Sequence, residues 1–135
     1  MGTWRLVAAS ATSGSERNDA PFGPTPSGLI TYTSDGRVMA IISHSDRKQL
    51  ASGDRISASA DERAEAFATS FSYAGWYSLS GDRIIHHVEI ASVQNWVGTD
   101  LVRLFAYRDN NIILTTPPIS VGGQIRATEL VWERV

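Results

Sequence analysis

The chain has 135 residues, a formal net charge of −2 and no cysteine. That is the length of one domain with a core that needs no covalent staples, and the missing cysteines exclude a disulfide framework and thiolate chemistry. No basic stripe follows a phosphate backbone, and no apolar run approaches the roughly 18 residues of a membrane helix, so neither nucleic acid nor a membrane is an expected partner.

The start, Met1-Gly2-Thr3-Trp4-Arg5-Leu6, has neither the basic opening nor the apolar stretch of a secretion signal. Leu6 also stands where an acylation signal wants serine or threonine. The cytoplasm is the expected compartment.

Residues 2–8 alternate, with Trp4, Leu6 and Ala8 on one face, and predict a strand. Residues 10–26 are rich in Ser, Gly, Pro and Asn and read as a long loop; Pro21-Phe22-Gly23-Pro24-Thr25-Pro26 cannot be regular structure. Strands over 29–33 and 37–44 form a hairpin about Ser34-Asp35-Gly36. Residues 45–58 are polar without a period. Residues 59–72 predict a helix: Ser59 and Glu62 have capping-box spacing, and Ala64, Phe67, Ala68 and Phe71 mark a narrow apolar face. Such a helix lies over a domain rather than inside it.

Strands follow over 73–79 and 83–90, joined by Ser80-Gly81-Asp82, and over 100–107 and 112–116, joined by Arg108-Asp109-Asn110-Asn111. A last strand, 124–135, closes the chain after Val121-Gly122-Gly123. Sequential hairpins of this kind predict an all-β fold: one domain over 1–135, a closed up-and-down antiparallel barrel of about eight to ten strands, with the helix covering one end. On the last strand Glu129, Val131 and Glu133 form the wet side, and Thr128, Leu130, Trp132 and Arg134 the inner one. Arg134 then needs a partner at one barrel end, and stacking on the Trp4 indole supplies it.

Gly2-x-Trp4 on the first strand and Arg134 on the last resemble the signature of lipocalins, in which an arginine packs on that tryptophan. More specifically, the chain is similar to the small bacterial and fungal lipocalin-like domain family. The matching stretches are Phe22-Gly23-Pro24, Gly28 to Thr33, Asp35-Gly36, Ala51 to Asp54, His86-His87-Val88-Glu89, Asn95 to Asp100, Arg103, Leu114 to Pro118 and Val131 to Arg134. Together they span nearly the whole chain. The resemblance implies a closed barrel with an internal cavity. It implies no single activity, because related barrels include carriers as well as cyclases and isomerases.

His86 and His87 are adjacent on a strand and must diverge. His86 shares its side with Ile84, Val88 and Ile90, the more apolar set, and is the candidate for the lumen. There it is either an acid–base group or a histidine satisfied by an internal partner. Asn95 and Trp96 lie between two strands; they either close over a ligand, the carboxamide orienting an oxygen, or plug the barrel. Arg103 either binds a carboxylate or enolate oxygen or pairs with Glu89 or Asp100 on the wall, the latter favoured by its lack of an obvious interior set. Tyr32 shares a face with Ile30; packing with its hydroxyl in water is favoured over a lumen hydrogen bond. His44 ends its strand at the rim. Tyr73, Trp76 and Tyr77 form an aromatic group after the helix. Phe22 and Trp76 complete the residues expected to contact a ligand.

No metal site is expected from His44, His86 and His87, and no cofactor motif of the dinucleotide, phosphate-loop or nucleophile-elbow kind occurs. The leading function is binding a small, mainly apolar organic molecule inside the barrel. The alternative is a cofactor-independent isomerase, cyclase or lyase, with His86 as acid or base and Arg103, Asn95 or Tyr32 steadying an oxyanion. A third reading has the lumen filled by the chain's own side chains, which Ala8, Ala40, Ala106 and Ala127 argue against. An outward apolar band would suit a homodimer.

Overall fold

The computed structural model describes residues 1–135, the side chain of Val121 excepted. In chain order the elements are β1 (Gly2–Ser13), β2 (Glu16–Asn18), β3 (Ser27–Tyr32), β4 (Arg37–Ser43), α1 (Ala60–Ala68), β5 (Ser70–Ser80), β6 (Arg83–Ala91), a 3-10 turn (Gln94–Trp96), β7 (Asp100–Arg108), β8 (Asn111–Thr115), β9 (Ile119–Val121) and β10 (Gln124–Arg134). The strands β1-β3-β4-β5-β6-β7-β8-β10 follow one another in antiparallel pairs, and β10 returns to pair with β1. The expected all-β closed barrel is therefore what the chain forms. Its two short extra strands, β2 and β9, fold back on β1 and β10. No helix among the described residues is long and apolar enough to cross a membrane.

The two barrel ends differ in their connections. At one end short hairpins turn the chain, and between β7 and β8 both turn residues, Asp109 and Asn110, hold φ near 53° and 68°. Short polar side chains tolerate that left-handed geometry, which matches the strand twist. At the other end lie the long connections: 14–26, the stretch holding α1, the 3-10 turn and the segment before β10.

Three expectations are corrected here. Residues 10–26 are not wholly a loop, because β1 continues to Ser13 and pairs with β10 as far as Thr12 opposite Ala127. A bulge falls at Val7: Leu6 faces Trp132, but Ala8 faces Val131. The extra residue reverses the alternation, so Ala8 is exposed and Ala9 and Ala11 turn inward. The helix begins as expected, Ser59 Oγ and the Glu62 carboxylate closing the reciprocal cap. However, it ends at Ala68 rather than 72, because the backbone from Ser70 to Trp76 is used in pairing with β4. Phe71 is thus a strand residue of the barrel wall.

The half of the barrel at the short-hairpin end is mostly filled and keeps only a small cavity of about 150 Å³. Trp4, Leu6, Val38 and Ile84 are buried there, and interdigitated side chains leave little room for a guest. Arg134 stands over the Trp4 ring, 5.1 Å from its centroid. Its side chain is exposed rather than buried, since it ends the last strand and caps the barrel from outside. Of the four alanines read as openings in the lumen, Ala40 lies inside, whereas Ala8 and Ala106 are exposed.

Candidate functional site

The half of the barrel toward the long connections holds a cavity of about 390 Å³ that opens among them. Its walls are apolar: Phe22, Ile42, Phe71, Trp96, Leu130 and Ile119 are prominent. Phe71 and Trp96 meet edge to face at 5.4 Å, and Trp96 meets Tyr73 at 6.0 Å, an arrangement aromatic rings prefer. Phe67 and Ala68 of α1, together with Pro21 and Phe22 of the 14–26 connection, complete the rim. His44 is at this rim, its ring 5.1 Å from that of Phe22. Burial, then the charge of Arg47, holds the His44 imidazole below its ordinary pKa.

A polar cluster stands at the inner end of the cavity, because strand alternation on three neighbouring strands aims its members at one point. On β6, Ile84, His86 and Val88 face inward. On β5, Tyr73 does so, and on β7, Arg103. His86 is 1% exposed, and both ring nitrogens are occupied: Tyr32 Oη lies 2.8 Å from Nε2 and Tyr73 Oη 2.7 Å from Nδ1. Burial is the main cause of a His86 pKa pushed down to about 3, with the charge of Arg103 next and that of His87 after it. The ring is therefore neutral at pH 7, with one nitrogen donating and the other accepting. Burial also raises the pKa of both tyrosine hydroxyls, so they stay protonated.

Arg103 is the cation of this cluster. Its charge acts on Tyr32, Tyr73 and His86, and its Nη1 donates to the Val102 carbonyl oxygen at 3.0 Å. The favoured expectation of a wall ion pair is corrected: Glu89 pairs with Arg37 at 2.8 Å and Asp100 with His87 at 2.7 Å. The strand pattern concealed this because both faces of β7 are largely apolar, Leu101 and Phe105 inside, Val102 and Leu104 outside. Arg126 of β10 also lines the cavity, nearer the mouth, whereas no aspartate or glutamate does so among the described residues.

Other expected contacts fall elsewhere. Asn95 is exposed and is not part of the cavity wall, although its neighbour Trp96 is. Trp76 is 47% exposed on the outer face, stacked on His87 at 3.6 Å. Tyr32 is buried with its hydroxyl on His86 rather than in water, and it borders the small cavity of about 150 Å³ at the opposite end. His87 faces outward, bridging Ser78 and Asp100. Tyr73 is the site residue that sequence reasoning passed over as one of an aromatic group after the helix. Its spacing from Gly75 and Tyr77, on the face opposite Trp76, was the available signal. Among the described residues no three His, Cys, Asp or Glu side chains group as metal ligands.

The sequence model of the lipocalin-like domain family matches residues 1–135, the whole chain. No curated protein and no solved structure matches it. The chain belongs to the lipocalin-like domain family, whose barrel is suited to small-molecule binding in general.

Proposed function

We propose, from this family membership and from the lining of the cavity among the long connections, that the barrel binds one small, mainly apolar molecule within it. The observation that carries the reading is the contrast between its two halves. The hairpin end keeps only a small cavity of about 150 Å³ among its large side chains, while the other half keeps about 390 Å³ open behind an aromatic rim. Small-molecule sites have this composition, apolar walls with a few convergent polar groups. That contrast also disfavours a lumen filled by the chain itself.

The cofactor-independent enzyme reading, with His86 as acid or base, draws less support from the geometry. His86 is sealed behind two tyrosine hydroxyls and is not on the cavity wall. A general acid or base must come within hydrogen-bonding distance of the reacting atom.

The test uses N-phenyl-1-naphthylamine, a neutral apolar dye that fluoresces when shielded from water. The wild-type chain should bind it at one site per chain. Ala40→Phe, which fills the cavity wall at a buried alanine, should abolish that binding while the far-ultraviolet circular dichroism stays unchanged. No dye binding, or binding that Ala40→Phe leaves intact, would overturn the proposal.

A further inference from the structure

We infer that the occupant carries one ionised oxygen acid, seated with its oxyanion against the Arg103 guanidinium and the Tyr73 hydroxyl at the inner end of the cavity. The inference rests on the binding role proposed above and adds the chemical class of the ligand.

The charge balance of the cavity comes first. Two guanidiniums, Arg103 and Arg126, line it, and among the described residues no carboxylate does. The ion pairs found among those residues join Arg5 to Glu133, Arg17 to Asp19, Arg37 to Glu89 and His87 to Asp100. Arg103, partly buried, has none of these anions. A guanidinium removed from water without an anion is costly, and its planar donors match a carboxylate or related oxyanion. Arg126, nearer the mouth, places a second positive charge along the way in, which favours the approach of an anion.

The hydrogen bonds around His86 accommodate such an anion. Among the described residues His86 Nε2 is the one partner of the Tyr32 hydroxyl. In the tautomer proposed here, Tyr32 donates to Nε2 and the neutral ring carries its proton on Nδ1. Nδ1–H then donates to Tyr73 Oη, 2.7 Å away. The Tyr73 oxygen thus accepts from His86, and its own O–H is free to donate into the cavity that Tyr73 lines. The Tyr73 hydroxyl and the Arg103 guanidinium, which both line the cavity, are then the two donors offered to the oxyanion. Tyr32 and His86 touch no ligand; they are positioning residues that fix which way the Tyr73 proton points.

The experiment displaces N-phenyl-1-naphthylamine from the full chain with two competitors of the same shape, 2-naphthoate and the uncharged 2-naphthamide. Naphthoate should displace the dye at a concentration about tenfold or more below that of naphthamide, the factor expected of hydrogen bonds to a charged group. Arg103→Gln should remove that preference. Tyr32→Phe, which keeps the ring and meets no ligand, should lower the preference severalfold without weakening naphthamide, because Nε2 then takes the proton and Tyr73 turns its O–H toward Nδ1. A purely structural role for Tyr32 would weaken both competitors alike. Nitrogen-15 spectra of the wild type should show His86 Nε2 without a proton.

Equal potency of the two competitors, a preference that survives in Arg103→Gln, or a protonated Nε2 would overturn the inference while leaving the binding barrel in place. If Arg103→Gln fails to fold, the wild-type ratio and Tyr32→Phe still decide. A dye that never binds would remove the binding role itself, and the inference with it.

Discussion

The Arg134 guanidinium occupies the space in which a side chain on Gly2 would begin: a β-carbon built on Gly2 would lie 2.5 Å from Arg134 Nη2. Gly2 also holds φ at 120°, where other residues are strained. The first and last strands are thus locked by a glycine, a tryptophan and an arginine that require one another. Arg134→Ala should cost about 0.5–1 kcal/mol, the range for an exposed cation over an aromatic face. Gly2→Ala should cost about 1–3 kcal/mol through backbone strain and displacement of the arginine. In the Arg134→Ala background the penalty of Gly2→Ala should shrink, since one of its two causes is gone. Urea denaturation of the four proteins measures this, and strictly additive losses would refute the coupling.

A second glycine sets the register of the site. Gly75 lies at the β5–β6 bulge, where Ala74 faces Ile90 but Gly75 faces Val88. A β-carbon there would fall 1.9 Å from the His87 carbonyl oxygen. Gly75→Ala must push β6 away next to His86, and a loss of about 2 kcal/mol or more is expected, together with weaker dye binding, as for other overpacked cores. A variant with wild-type stability and affinity would show that the strands do not hold this close approach.

Acid should destabilise the fold through His86. In the folded chain the ring binds a proton only near pH 3, whereas its ordinary pKa is 6.5. Unfolding therefore takes up a proton between those values. The stability is fully present above about pH 6.5 and is lost as the pH falls, by up to about 1.4 kcal/mol per unit from this one group. His44, also lowered by burial, acts in the same direction. Denaturation at pH 7, 6 and 5, above most carboxylate titration, should show this slope in the wild type. His86→Gln should keep only a small remainder; an undiminished slope would place the proton uptake elsewhere.

The rim should control exchange. Phe67 of α1 is 55% exposed yet lines the mouth, and Phe71 meets Phe22 and Trp96 beside it. The double variant Phe67→Ala and Phe71→Ala should release N-phenyl-1-naphthylamine severalfold faster in stopped-flow dilution, with a smaller change in the association rate, because loss of rim contacts acts mostly on dissociation. Unchanged release would mean that these rings do not gate the cavity.

The local order of the chain was written in the sequence. Alternation, the turn residues and the Ser59–Glu62 cap determined the strands, the start of the helix and the barrel class, since these depend on neighbours a few residues apart. The divergence of His86 and His87 followed from strand geometry alone. Where a pattern had an interruption, local reading failed. The bulge at Val7 reversed the facing of Ala8, and the claim of β4 on residues 70–76 shortened the helix. The direction of Arg103 was hidden by a strand apolar on both faces. Only closure of the barrel decided the rest. It brought Tyr32, Tyr73, His86 and Arg103, from four different strands, to one point. Hydrogen bonds between residues 13 and 54 positions apart, such as those of Tyr73 and Tyr32 with His86, depend on register and closure, which no local pattern encodes.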